Sequence, residues 1–120
     1  MADQSKISTI QDNLCFTDVV VPINTTFSNM VNLYGTRLVG IITPSALTST
    51  SIGFQAASTA AGTPVAVYNS SGIIAVTVAT AAARYIALNP NDYACINNIR
   101  ISTGSTELAA RTFTLVTRPE

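Results

Sequence analysis

Histidine and tryptophan are absent from the 120 residues, cysteine occurs twice, and only 10% of the chain is charged. Each shortage closes off a class of functions. Without histidine the usual general base, the usual activator of a nucleophile and the commonest metal ligand are missing. Cys15 and Cys95 cannot complete a zinc site alone, and two cysteines do not make a disulfide framework. Both sit among apolar or small residues and read as buried free thiols, as expected of assembly in a reducing compartment. Lys plus Arg equals Asp plus Glu, six of each, so no net field draws nucleic acid or an anionic membrane. Lys6, Arg37, Arg84, Arg100, Arg111 and Arg118 are scattered singly, whereas a nucleic-acid footprint needs a stripe. No apolar run approaches the roughly 20 residues of a membrane span. Met1-Ala-Asp-Gln-Ser-Lys6 has no apolar signal core, so synthesis in the cytoplasm is expected.

The acidic residues are equally dispersed. Asp92 and Glu107 could meet only through the fold, as a carboxylate pair of the glycosidase kind. The plainer expectation is two solvated loop carboxylates. Asn89, Asn91 and Asp92 offer oxygens within one short loop, but a single carboxylate is too few for tight calcium binding, and a turn is expected there. Tyr34, Tyr68, Tyr85 and Tyr93 stand in or beside strand candidates and read as buried rings with their hydroxyls at the rim. The sequence thus predicts no catalytic residue, no metal site and no cofactor.

What is present is apolar and uncharged. Hydrophobic residues make up 48% of the chain, and Ser with Thr supplies roughly a quarter of it. Such a surface stays in solution less easily than a charged one. It suits a subunit largely covered by neighbours.

Hydrophobic alternation marks short strands throughout. The chain is organised around Thr36-Arg-Leu-Val-Gly-Ile-Ile-Thr-Pro44 and Ile52-Gly-Phe-Gln-Ala56. In the first run Leu38, Gly40 and Ile42 fall on one face and Arg37, Val39 and Ile41 on the other, and Pro44 ends it. Leu14 to Val21 is β-branched and stopped by Pro22. Phe27 to Leu33 is a weaker strand closing at Tyr34-Gly35. Val65 to Val78 reads as a hairpin about the turn Asn69-Ser-Ser-Gly72. Arg84 to Leu88, Ile96 to Ser102 and Arg111 to Arg118 follow, with Asp92 placed to cap a turn that sets Tyr93 inward. About eight strands, spaced some ten residues apart by Gly/Pro/Asn/Ser turns, predict an all-β antiparallel sandwich. Leu38, Ile42, Phe54, Val76, Ile86, Ile99, Phe113 and Leu115 are the expected core.

Residues 1–26 form the expected arm and first strand, and 27–120 the sandwich. Ile7, Ile10 and Leu14 would share a helical face. An apolar strand behind a polar arm suits an element that adds to a neighbouring sheet or lies in a partner's groove. Ile7, Ile10, Leu14, Phe16, Val19 and Val21 are therefore the candidate interaction segment.

From Phe27 to Pro119 the chain resembles a family of small virion proteins of tailed bacteriophages. The residues that carry the likeness are Val31-Asn-Leu33, Arg37-Leu-Val-Gly-Ile-Ile-Thr-Pro44, Leu47, Ile52-Gly-Phe-Gln-Ala56, Ala66-Val-Tyr68, Gly72 and Val76-Thr-Val78. It continues through Arg84-Tyr-Ile-Ala-Leu-Asn-Pro90, Ile99-Arg-Ile-Ser-Thr-Gly104 and Arg111-Thr-Phe-Thr-Leu-Val-Thr-Arg-Pro119. The resemblance implies a jelly-roll-like sandwich and a cement or decoration protein on the capsid exterior, held to the major capsid protein. A homo-oligomer, trimer before dimer, is implied in the same way. A tail accessory or connector role and a carbohydrate- or receptor-binding module are the alternatives. Ala57-Ser-Thr-Ala-Ala-Gly62 stands where the family has a more acidic turn, which weakens any ligand site there.

Overall fold

A computed structural model of the chain describes residues 14–78 and 80–119. The expected arm, with Ile7 and Ile10, lies outside the described residues. Strands β1 (Cys15–Val21), β11 (Arg111–Pro119), β3 (Thr36–Ile42) and β9 (Tyr85–Ala87) form sheet A in that order. Sheet B runs β2 (Val31–Asn32), β10 (Asn98–Thr103), β4 (Ser51–Ala57) and β5 (Val65–Ala66), and β8 (Ala75–Thr77) also pairs with β4. Between β5 and β8, β6 (Tyr68–Asn69) and β7 (Gly72–Ile73) pair as a small hairpin.

The pairings follow one rule. β1 pairs with β11, β2 with β10, β3 with β9, and β4 with β5 and β8, all antiparallel. The chain is thus one long hairpin, doubled at the β4–β5 turn and rolled so that successive strands alternate between two facing sheets. That is a jelly roll, an all-β sandwich as the strand spacing predicts.

Each long strand buries one phase of its alternation. Val19 and Val21 of β1, Phe113 and Leu115 of β11, Ile52 and Phe54 of β4, and Ile99 and Ile101 of β10 meet between the sheets. Tyr93 enters from the 3-10 turn Pro90–Tyr93 and packs edge-on against Phe54, ring centroids 5.4 Å apart. Asn89 caps that turn by accepting from the Asn91 amide at 3.1 Å. The cap is therefore Asn89, not Asp92.

The face assignment of β3 needs a correction. Thr117 stands opposite Leu38 and Val116 opposite Gly40, so Val39 is an extra residue in the ladder. This bulge shifts the alternation by one. Leu38 and Ile41 both point into the core, fully buried, and Ile42 turns to the outer face, half-buried. Val76 and Ile86 are also only half-buried, because β8 and β9 lie at sheet edges.

Residues Val65 to Val78 do form a hairpin, but its two arms part. The β5 arm pairs with Gln55 and Ala56, the β8 arm with Ser51, Ile52 and Gly53. Both therefore lie end to end along one edge of β4, and the tip projects from that edge. Asn69 Oδ1 accepts from the Ser71 amide at 2.8 Å, and Gly72 takes φ +132°. Tyr68 and Ile73 stand opposite each other on the tip, both exposed.

Candidate functional site

Three loops meet at one end of the sandwich, and a buried carboxylate ties them together. Glu107, between β10 and β11, is fully buried. Its Oε1 accepts from the Thr48 amide and from Arg111 Nε, each at 2.9 Å. Its Oε2 accepts from the Ser49 amide at 3.1 Å and the Ser49 hydroxyl at 2.7 Å. The Glu107 backbone also joins the β1–β2 loop: its carbonyl accepts from Asn24 at 2.9 Å and its amide donates to Thr25 at 3.1 Å. Asn24 takes φ +65° to make that return.

Burial drives the Glu107 carboxyl up, but hydrogen bonds from Ser49, Thr48 and Arg111 outweigh it and hold its pKa below the usual glutamate value. It is an ionised structural clamp, not the solvated carboxylate expected from the sequence. Asp92 lies by Pro90, which with Arg118 and Pro119 lines a shallow hollow at the far end of β11. Nine residues of strand, roughly 30 Å, separate that end from Arg111 and Glu107. The two carboxylates do not form a pair.

The opposite end is open. A cavity of about 420 Å³ lies between the edge strands β1 and β2, lined by Cys15, Thr17, Met30, Val31, Leu33 and Leu115, with Asn32, Tyr34, Thr36 and Thr117 at its sides. None of these residues is charged. The cleft exists because the two edges differ in length. β1 has seven residues, whereas β2 has two. The first positions of β1 therefore have no strand facing them across the sandwich. The far half of the same gap is closed by the β1–β2 loop, where Asn29 Oδ1 accepts from the Val20 amide at 3.1 Å.

Cys15 holds an inward phase at this mouth and is nevertheless exposed, as is Cys95. The expectation of two buried thiols is thus corrected: an inward phase buries nothing where the facing sheet has ended. Tyr34 and Gly35 form the tight β2–β3 turn at the cleft wall, with φ +52° and +78°. Thr36 closes it by donating to the Leu33 carbonyl at 3.0 Å, and Asn32 Oδ1 accepts from the Tyr34 amide at 2.8 Å. A tyrosine in the left-handed region is strained, and here its ring is 85% exposed.

The interaction segment divides. Val19 and Val21 face the core of their own sandwich, because β1 pairs with β11 along its whole length. Residues 14–26 are thus bound into the sandwich. Leu14 is half-buried, and Phe16 looks outward with Val20. Phe16 stands in a cross-sheet row with Val116, Gly40 and Ala87, and the next row is Asp18, Thr114, Ile42 and Tyr85. These two rows of the outer face of sheet A are therefore apolar and small, with Asp18 their only charge. Its carboxylate accepts from the Thr114 hydroxyl at 2.7 Å. Tyr85 lies beside Gly40, where an added Cβ would sit 3.4 Å from its ring and 3.2 Å from the Ile86 carbonyl. Val116 beneath them is buried.

Of the four tyrosines only Tyr93 is buried; Tyr34, Tyr68 and Tyr85 are exposed, which overturns the expectation of rings set inward. The outer face of sheet B is polar by contrast. Arg100 stacks on Phe27, 4.1 Å from guanidinium carbon to ring centroid, and its Nε donates to Gln55 at 2.8 Å. Among the described residues no group of three or more His, Cys, Asp or Glu side chains lies together, and no helix is long and apolar enough to cross a membrane.

No protein-family model and no curated protein matches the chain. Solved structures do. The crystal structure of the SPBc2 prophage-derived protein YomS is similar over 87% of this chain and 93% of that one, with a TM-score of 0.53 at 12% identity. A subunit described with Bacillus endospore appendages, a family of disulfide-linked pili, is matched over 90% of both chains at 11% identity with a TM-score of 0.39. The likeness to the prophage-derived protein is one of fold.

Proposed function

We propose that the chain is a structural protein of a tailed-bacteriophage virion, a cement or decoration subunit that binds the major capsid protein on the capsid exterior. The observation that carries this reading is the outer face of sheet A. Phe16, Val20 and Tyr85 are exposed there around Ile42, and in the two rows through Phe16 and Asp18 the one charge is Asp18. A lone soluble domain gains nothing from such a face, whereas a subunit seated on a lattice buries it. Small apolar and backbone contacts, repeated over many copies, then supply the affinity. The resemblance in the strand and turn residues and the jelly roll shared with a prophage-derived protein support a phage setting. In this reading the protein has no enzymatic activity, needs no cofactor and acts as a homo-oligomer, the trimer matching three-fold lattice positions.

The test is reconstitution. Particles lacking the protein are mixed with purified protein and imaged by electron microscopy. Density on the capsid exterior with sheet A toward the lattice is the expected result. Density on the tail or fibres overturns the capsid assignment. Phe16→Asp and Tyr85→Asp should fold normally and decorate poorly; full decoration by both would move the attachment surface elsewhere.

A further inference from the structure

The sandwich carries a socket on one edge and a plug on the other. The socket is the uncharged cleft between β1 and β2. In sheet B, β10 and β4 separate β2 from β5 and β8, so the hairpin joining β5 to β8 stands on the opposite edge. Its base is anchored: the Val67 amide donates to the Phe54 carbonyl and the Ile74 amide to the Val67 carbonyl, each at 3.0 Å. Val67 and Ile74 are buried, whereas Tyr68 and Ile73, paired across the next rung, are exposed. We infer that the Tyr68–Ile73 tip of one copy enters the β1–β2 cleft of the next and joins copies head to tail. The inference rests on the homo-oligomer of the functional reading, whose interface it names, and takes nothing from the capsid assignment.

The two halves match in chemistry. The tip from Tyr68 to Ile73 has no charged residue, and neither has the cleft lining. A charged occupant would lose its water there and meet no counter-charge. A tyrosine entering an apolar site needs a partner for its hydroxyl, and Thr17, Asn32 and Thr36 offer hydroxyl and amide groups at the sides of the cleft. A purely alkyl occupant would leave those groups unanswered. The size also fits: about 420 Å³ lies within the roughly 300–1,000 Å³ of enclosing sites and accommodates one tyrosine and one isoleucine side chain. Placement on opposite edges means that no copy can fill its own cleft, and a copy whose cleft is filled still presents its tip. Such a contact is heterologous and gives rings where its rotation closes. A ring of three suits a three-fold lattice position and leaves the outer face of sheet A free.

Cys15, exposed at the cleft, reports on occupancy. A receiver carrying Tyr68→Ser, Ile73→Ser and Cys95→Ser keeps the cleft and lacks the apolar tip. Its N-ethylmaleimide addition at Cys15 is followed by mass spectrometry while a donor carrying Cys15→Ser and Cys95→Ser is titrated in. The donor should slow the reaction on the order of 10-fold at saturation, as for a group gaining local protection. A donor that also carries Tyr68→Ser and Ile73→Ser should leave the rate unchanged. Equal rates with the two donors overturn the inference. Sedimentation supplies a second measurement, in which the parent associates and the receiver alone stays monomeric. Oligomers that persist in the receiver overturn the inference and leave the homo-oligomer standing on another surface. A parent that stays monomeric overturns both.

Discussion

The two ends of the sandwich are built from the same strands and behave as opposites. At one end the β1–β2, β3–β4 and β10–β11 loops converge on Glu107, whose four hydrogen-bond donors come from Thr48, Ser49 and Arg111. At the other, β1 begins with an exposed cysteine over a cleft and the adjoining turn holds a tyrosine at positive φ. A buried carboxylate is tolerable only when fully satisfied. Once it is, it fixes every loop that contributes a donor. An apolar cleft without such donors fixes nothing. The closed end therefore reads as scaffold, and the open end as an apolar cleft between two edge strands.

Truncations along the paired strands β1 and β11 should grade from the closed end to the open one. The largest loss is expected at Phe113, fully buried opposite Val19. Phe113→Ala should cost about 3–5 kcal/mol in denaturant unfolding, the usual range for a core aromatic. Cys15→Ala, on the same pair of strands at the open mouth, should cost under about 1 kcal/mol. Similar losses at the two positions would show that the cleft is as tightly packed as the core.

Glu107→Ala should come next, at about 3 kcal/mol, because it strands the Arg111 charge and the Thr48 and Ser49 amides. Amide hydrogen exchange should locate the damage, with Thr48 and Ser49 losing protection while the amides of β10 keep theirs. Uniform loss across the sheet would mean that the carboxylate supports the whole sandwich and not one end of it.

A pH effect should follow from the same group. Its folded pKa is lowered, so the stability it contributes is complete above the ordinary glutamate value of about 4.3. That contribution disappears as pH falls from there through the folded pKa. Acid titration of the parent and Glu107→Gln should give curves that converge below that window, since the variant has no such proton to take up. Parallel curves would remove the carboxylate from the acid response.

The smallest effect is expected at Tyr34, and its sign is reversed. Tyr34→Asn should raise stability by under about 1 kcal/mol, because asparagine tolerates the left-handed region that a tyrosine occupies under strain. A loss would show that the ring makes a stabilising contact that outweighs the backbone strain.

Strand identity was legible from local chemistry. Pro22 ends β1 and Pro44 closes the β3 run, Asn69-Ser-Ser-Gly72 turns the projecting hairpin, and Phe113 and Leu115 take one phase of β11. Each of these depends on residues a few positions apart: a missing amide, a permitted φ, an alternation of two. The spacing of turns then led to an all-β sandwich. Tertiary structure decided what depends on distant partners. The Val39 bulge shows only in the β11 register, so Ile41 and Ile42 exchanged faces. Glu107 stands four residues before Arg111, a local hint of an ion pair. Its burial, however, came from the Thr48 and Ser49 amides nearly sixty residues away. Exposure of Cys15 was decided by the shortness of β2, a strand on the other sheet. A local pattern fixes which way a side chain points from its own backbone, and only the facing sheet determines whether anything stands there to cover it.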